Sequence, residues 1–110
     1  MDKLIKAVRA EIQNEYQRAS EEFGPVNNSD WEIYGVILEE LEEVAAEIRP
    51  AGYALSKFWS LVKDKKGTDE QKLESLQKLE NKMTLAACEC IQVAAMAYKA
   101  QKTIQQRQVN

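Results

Sequence analysis

Helical periodicity covers almost the whole chain and is interrupted only where glycine or proline occurs. The interruptions fall at Gly24-Pro25, at Pro50 and at Gly67. No segment alternates apolar and polar residues as a half-buried strand does, and no Asn-Gly or Asp-Gly pair predicts a hairpin. The length of 110 residues is close to the common size of one domain. We therefore predict a single all-α domain.

These interruptions divide the chain into four predicted helices. Pro50 separates the second from the third, because proline does not continue a helix but can begin one. Ser29 or Asp30 provides the N-cap of the second helix, and Thr68 with Gln71 forms a capping box at the start of the fourth. The predicted helices cover residues 2–22, 31–49, 51–63 and 69–103.

Four helices of these lengths predict a four-helix bundle with a long C-terminal helix. Residues 1–24 are expected to form the N-terminal helix, residues 30–103 the bundle core, and the glutamine-rich residues 104–110 a frayed tail. The segment from Leu85 to Ala100 is apolar almost all the way round. Such a helix needs cover from its own bundle or from another copy, so we expect a homodimer or tetramer.

The composition excludes several classes of function. The chain contains no histidine, which removes Ser-His-Asp and Cys-His catalysis and the HExxH zinc motif. The net charge of −3 argues against stable nucleic-acid binding, and no run of about 18 apolar residues predicts a membrane span. Cys88 and Cys90 point apart on a helix and cannot pair. Because the Met1 end also lacks a secretory signal pattern, we expect a cytoplasmic protein.

The second predicted helix carries the densest acidic cluster, Glu39-Glu40-Leu41-Glu42-Glu43. Its apolar residues fall within one arc of about 160°, which we predict to be buried. Glu39 points away from that arc, whereas Glu40, Glu43 and Glu47 form a row along its edge. The row is either a solvated acidic face or one side of a cation site. The residues of the arc are Trp31, Ile33, Tyr34, Ile37, Leu38, Leu41, Val44, Ala45 and Ile48.

Glu89 is the only carboxylate in the apolar segment of the fourth helix, and Gln92 lies one turn beyond it. A buried carboxylate must be protonated, paired with a cation or bound to metal. Two helices that each present oxygen ligands three residues apart suit Mg²⁺ or Mn²⁺, which need no histidine. The alternatives are that Glu89 pairs with a lysine or arginine of the first helix, or that it points out through a gap in the bundle.

The segment Glu39–Glu43 resembles the EExxE motif of the MazG-like all-α nucleoside triphosphate pyrophosphatases. Glu89-Cys90-Ile91-Gln92 occupies the place of the second family motif, ExxD, with glutamine where the family has aspartate. The resemblance implies a Mg²⁺-dependent (or Mn²⁺-dependent) hydrolase that releases pyrophosphate from a nucleotide. It further implies that Glu40, Glu43 and Glu89 hold metal together with Gln92, and that Glu39 assists catalysis by orienting or deprotonating the water.

Lys57, Trp59 and Lys63 are candidates for substrate binding, because an aromatic ring can stack on a base and lysines can hold phosphates. The alternative that we favour is that Trp59 and its apolar neighbours form the core, with the lysines at a solvated helix end. Three functions stay open from the sequence. They are the pyrophosphatase, a catalytically degenerate module of the same fold that binds a nucleotide or a protein, and a structural helical oligomer.

Overall fold

The computed structural model describes residues 1–65 and 67–109, and in these ranges its regular secondary structure is all helical, with no strand. The all-α prediction is therefore confirmed. The prediction of a four-helix bundle is wrong, because the second and third predicted helices are one continuous element. The three helices are α1 (Asp2–Phe23), α2 (Asp30–Asp64) and α3 (Asp69–Val109).

Pro50 lies inside α2 and does not end it. Proline removes one backbone donor and crowds the preceding turn, so a helix that passes through it needs support from packing. Here Ala51 and Ala54, which follow Pro50 directly and one turn later, are among the most buried side chains of the chain. Burial on both turns favours a continued helix. This contribution from tertiary packing cannot be inferred from the presence of proline in the sequence.

The predicted caps are present. Ser29 Oγ accepts the backbone N–H of Glu32 at 3.1 Å, which identifies Ser29 as the N-cap of α2. Thr68 and Gln71 form the capping box, each accepting the other's backbone N–H at 3.1 and 3.0 Å. The helix break predicted at 65–67 includes residue 66, which lies outside the described residues. Lys65 adopts a left-handed conformation, with φ of 57°, directly after α2.

The third helix is longer than predicted and reaches Val109 rather than ending near 103. Two contacts hold its last turns in the helix. Thr103 Oγ1 accepts the backbone N–H of Asn27 at 2.9 Å, and Arg107 forms an ion pair with Asp30 at 2.8 Å. The helix thus occupies most of the segment expected to fray, and residue 110 lies outside the described part of the chain.

The chain divides into two compact units. The first comprises Met1–Leu41 and the part of the chain from Glu89 onward, and the second comprises Glu42–Cys88. In the first unit the ring of Tyr16 packs edge-on against Tyr98, with 4.8 Å between centroids. The core is built largely from small side chains. Its buried members are Ala95 and Ala100 in the first unit, and Ala51, Ala54, Leu61, Ser75 and Ala86 in the second.

The apolar arc predicted to be buried on the first half of α2 is split between two faces. Ile33, Ile37 and Val44 are half-buried, as predicted. The prediction is wrong for the other six members, because the neighbouring helix segments cover only one side of the arc. The exposed members are Trp31, Tyr34, Leu38, Leu41, Ala45 and Ile48.

The expectation of an aromatic core beyond Pro50 is also largely wrong. Tyr53 and Trp59 are 68% and 57% exposed, and only Phe58 among the aromatic residues of that segment is half-buried. The buried positions there are Ala51, Ala54 and Leu61. Among the described residues, no helix combines the length and apolar character that a bilayer crossing requires.

Candidate metal site and adjoining cavity

Three of the predicted metal ligands lie together. One carboxylate oxygen of each of Glu40, Glu43 and Glu89 lies within 4.8 Å of the corresponding oxygens of the other two. Glu40 and Glu43 are one turn apart on α2, so helix geometry places them on one face. Glu40 and Glu89 are half-buried and Glu43 is exposed.

Gln92, the fourth predicted ligand, contacts two of these carboxylates. With its amide nitrogen facing them, it donates to Glu89 Oε2 at 3.0 Å and to Glu40 Oε2 at 3.2 Å. Glu89 and Gln92 share a face of α3, being three residues apart, and Glu40 reaches them from α2. The Gln92 amide therefore positions both carboxylates, and a rotation about its last side-chain bond would present its oxygen to the same point.

This donor set suits a hard divalent cation. Like charges at this separation repel one another unless a cation or hydrogen-bond donors offset the repulsion. Carboxylate and amide oxygens from two helices are the ligand types that Mg²⁺ and Mn²⁺ prefer. The arrangement is therefore chemically able to hold such an ion and to leave positions for phosphate oxygens or water.

Two other acidic residues of α2 lie outside the group of three carboxylates. Glu39 is exposed, in keeping with the prediction that it points away from the apolar arc. Glu47, the last member of the predicted row, instead forms an ion pair with Lys82 at 3.5 Å. The role of Glu47 is thus accounted for by a structural ion pair, whereas the catalytic role assigned to Glu39 stays a prediction.

A cavity of about 380 Å³ in the first unit opens beside the carboxylates. Glu40 and Gln92 form part of its wall, so two of the four candidate metal ligands border it directly. The rest of the wall offers two cations, two further carboxylates and two aromatic rings. These are Arg18 and Lys99, Glu15 and Glu32, and Tyr16 and Phe23. The volume lies within the range of about 300–1,000 Å³ that is usual for small-molecule pockets.

Arg18 is paired with two carboxylates at the cavity wall. Its guanidinium makes two hydrogen bonds to Glu15, at 2.6 and 3.0 Å, and one to Glu22 at 3.1 Å. The hydrogen bond from Arg18 lowers the pKa of the Glu15 carboxyl, and the same contact raises the pKa of Arg18. Lys99 forms no ion pair with any described residue. Its ammonium group is therefore available to an anionic ligand.

The predicted substrate-binding residues lie elsewhere on the molecule. Lys57, Trp59 and Lys63 follow Glu43 on α2 by 14 to 20 residues, or about 21–30 Å of helix. Lys63 lies over the ring of Trp59, with Nζ 5.7 Å from the centroid. Lys57 lines a separate cavity of about 290 Å³ with Tyr53 and Lys78. A role for these three in substrate binding stays a prediction, and a single chain does not bring them to the carboxylates.

Apart from Glu40 and Gln92, no residue of the cavity wall was predicted to be functional. Tyr16 lies on α1, which carried no predicted site residue. Lys99 is the only cation in the segment from Leu85 to Ala100, and this isolation is the sequence feature that could have identified it as a binding residue. Arg18 and Phe23 gave no signal, because their approach to Glu40 depends on how α1 packs. Cys88 and Cys90 are free and exposed.

The chain matches no protein-family model, no curated protein and no solved structure.

Proposed function

We propose that this chain is a MazG-like nucleotide pyrophosphohydrolase that acts on (d)NTPs with Mg²⁺ or Mn²⁺. The observation that carries the proposal is the convergence of Glu40, Glu43 and Glu89. The sequence resemblance implied this set of ligands, and their carboxylates come from parts of the chain that are 46 residues apart. The cytoplasm, where nucleoside triphosphates and Mg²⁺ are available, is the compartment that this activity favours.

The adjoining cavity supports a nucleotide as the ligand. A nucleoside triphosphate combines a polyanionic chain with a flat base, and the cavity wall includes cations and aromatic rings beside its carboxylates. Lys99 and Arg18 would bind phosphate oxygens by charge-assisted hydrogen bonds. Tyr16 or Phe23 offers a ring surface for the base or sugar. Glu40 and Gln92 border the same space, so phosphates held there lie next to the carboxylates.

The reaction is hydrolysis at the α-phosphorus. A water oxygen adds to that phosphorus, the bond to the bridging α,β oxygen breaks, and pyrophosphate leaves with the nucleoside monophosphate as the other product. Glu40, Glu43 and Glu89 would hold the metal, with Gln92 positioning Glu40 and Glu89. The bound cation supplies positive charge that polarises phosphoryl oxygens and lowers the pKa of water. Glu39 is proposed to orient or deprotonate the attacking water.

Purified protein incubated with each (d)NTP and either Mg²⁺ or Mn²⁺ tests the proposal. We expect equal amounts of nucleoside monophosphate and pyrophosphate, no product in the presence of EDTA, and a marked loss of rate in Glu40→Gln. Tight binding of nucleotide without product would instead favour the catalytically degenerate module. Neither binding nor turnover would leave the structural helical oligomer as the better explanation.

Gln92→Asp tests what the Gln92 amide contributes to the metal site. The substitution restores the acid of the family motif and adds negative charge beside Glu40 and Glu89. We expect the divalent metal to bind about tenfold more tightly, and the metal-free protein to be less stable because the repulsion increases. Calorimetric titration with Mn²⁺ measures the metal affinity, and urea denaturation in EDTA measures the stability of the metal-free protein. Weaker metal binding in the variant would show that the Gln92 amide serves the site better than a carboxylate.

A further inference from the structure

Helix α2 carries a heptad repeat of apolar residues that the rest of the chain leaves exposed. Positions separated alternately by three and four residues hold an apolar residue or glycine over about 47 Å of helix. We call these ten positions the α2 seam. Every one of them is exposed, and the exposed fraction reaches 88% at Trp31. They are Trp31, Tyr34, Leu38, Leu41, Ala45, Ile48, Gly52, Leu55, Trp59 and Val62.

The α2 seam is distinct from the face that α2 uses within the chain. The positions that α2 buries, Ala51, Ala54 and Leu61, belong to other places in the heptad. At about 100° per residue, Glu40 lies roughly 130° from the midpoint of the seam, so the carboxylate group faces another direction. Pro50 occupies the heptad position opposite the seam, so its missing N–H and its ring lie away from it. An apolar repeat of this length on a second face is typical of a helix that packs against a partner helix.

We propose that the α2 seam is covered by the α2 helix of a second copy of this chain, packed antiparallel around a two-fold axis between residues 45 and 48. In this register every seam position of one copy meets a seam position of the other, and large residues face small ones at the centre. By symmetry each layer occurs twice. The layers are Ala45–Ile48, Leu41–Gly52, Leu38–Leu55, Tyr34–Trp59 and Trp31–Val62.

Gly52 supports this register. A helix is less stable with glycine in its interior than with alanine, so the presence of Gly52 calls for a reason in the packing. Among the residues that the structure describes there is none, because a Cβ built on Gly52 meets no atom within 4 Å. In the antiparallel pair the partner's Leu41 packs over Gly52, and a side chain there would push the helices apart. A parallel pair would instead set Gly52 against Gly52 and Trp59 against Trp59, which matches volumes poorly.

Charges beside the seam also favour the antiparallel register. Glu42 and Arg49 flank the seam on the same side, and neither pairs with a charged side chain within the described residues. Antiparallel packing places Glu42 nearest to the partner's Arg49, and the two-fold axis repeats the contact. Two ion pairs, each joining a glutamate of one copy to an arginine of the other, therefore border the centre of the interface. This inference does not rest on the proposed function, because it involves neither nucleotide nor metal.

Sedimentation equilibrium without nucleotide or metal tests the assembly. We expect twice the 12.6 kDa mass of the chain at tens of micromolar. Ile48→Asp should weaken the dimer by about 100-fold or more, since it buries a charge in the central layer. Leu73→Asp is the matched control, because Leu73 is 59% exposed on α3 and Ile48 49% exposed on the seam. A monomeric wild type, or equal effects of both variants, would overturn the proposal.

A charge exchange tests the register with variants whose folding is not at risk. Glu42→Arg or Arg49→Glu alone should weaken the dimer by about fivefold, because each sets like charges together twice. The double variant, Glu42→Arg with Arg49→Glu, should restore wild-type affinity. Additive weakening in the double variant would rule out this register.

Disulfide trapping decides the direction of the helices. In a Cys88→Ser, Cys90→Ser background, Leu38→Cys and Leu55→Cys chains should cross-link when mixed and not when each is oxidised alone. Cross-linking of Leu38→Cys with itself would show a parallel pair and overturn the antiparallel arrangement.

Discussion

Glu89→Gln is expected to abolish the metal-dependent behaviour of this protein. Glu89 is the one carboxylate that α3 contributes to the group formed with Glu40 and Glu43. Its amide replacement keeps the shape and the ability to accept from Gln92 but removes one negative charge. We expect pyrophosphate release to fall by about 100-fold or more, which exceeds the loss usual for residues that only position a ligand.

The same variant should lose its thermal response to metal. Saturating Mg²⁺ or Mn²⁺ should raise the wild-type melting temperature by about 5 °C or more, because the ion binds the folded state preferentially. In Glu89→Gln this shift should disappear. Without metal, the variant should be as stable as the wild type or more stable, because the repulsion with Glu40 and Glu43 is reduced.

Glu80→Gln is the matched control for this experiment. Glu80 is an exposed carboxylate on the same helix, nine residues before Glu89, and it is not part of the three-carboxylate group. It should retain activity and the full metal-induced shift. If Mg²⁺ and Mn²⁺ leave the wild-type melting temperature unchanged while Glu89→Gln lowers it, Glu89 has a structural role and the proposed function fails.

Gly67→Ala is expected to cause the largest loss of stability among single methyl additions to this chain. A Cβ at Gly67 would lie 2.6 Å from Leu61 Cβ, 2.9 Å from Leu61 O and 3.0 Å from Leu61 Cα. Two of these atoms belong to the backbone and the third is fixed to it, so no side-chain rotation relieves the overlap. Leu61 is itself buried, which prevents α2 from moving aside.

We expect Gly67→Ala to lower the free energy of unfolding by about 2 kcal/mol, within the range seen for overpacked sites. Urea denaturation at one fixed protein concentration measures it. Gly35→Ala is the control, because a Cβ at Gly35 meets nothing within 4 Å and the position is helical. In that variant the free energy of unfolding should rise by up to about 1 kcal/mol, because alanine has the higher helix propensity. A stabilised Gly67→Ala variant would show that the segment after α2 does not pack against Leu61 in solution.

The sequence predicted well those features that depend on neighbours along the chain. The start of α1, the Ser29 cap and the Thr68–Gln71 box each involve groups within a few residues of one another. Glu40 and Glu43 share a face for the same reason. The approach of Glu89 to them was a hypothesis from the motif resemblance, and only the packing of α3 against α2 brings the three carboxylates together.

Apolar character alone does not predict which residues of α2 are buried. Pro50 predicted a helix boundary because proline weakens a helix locally. The burial of Ala51 and Ala54 nevertheless stabilises α2 as one helix that passes through Pro50. Trp31 read as a core residue because it is apolar, although the chain leaves it 88% exposed. Helical periodicity shows that a face is apolar without showing which helix covers it.

The sequence by itself determined that the chain is helical, where two of its three helices are capped, and which residues could serve as oxygen ligands. These properties follow from backbone propensities and from spacing over three or four residues, which a linear pattern contains in full. Only the tertiary structure decided that α2 is continuous, that Arg18 and Lys99 share a cavity wall with Glu40, and that the α2 seam is exposed. Each of these depends on contacts between residues far apart in the chain, where the net free energy of packing outweighs local preference.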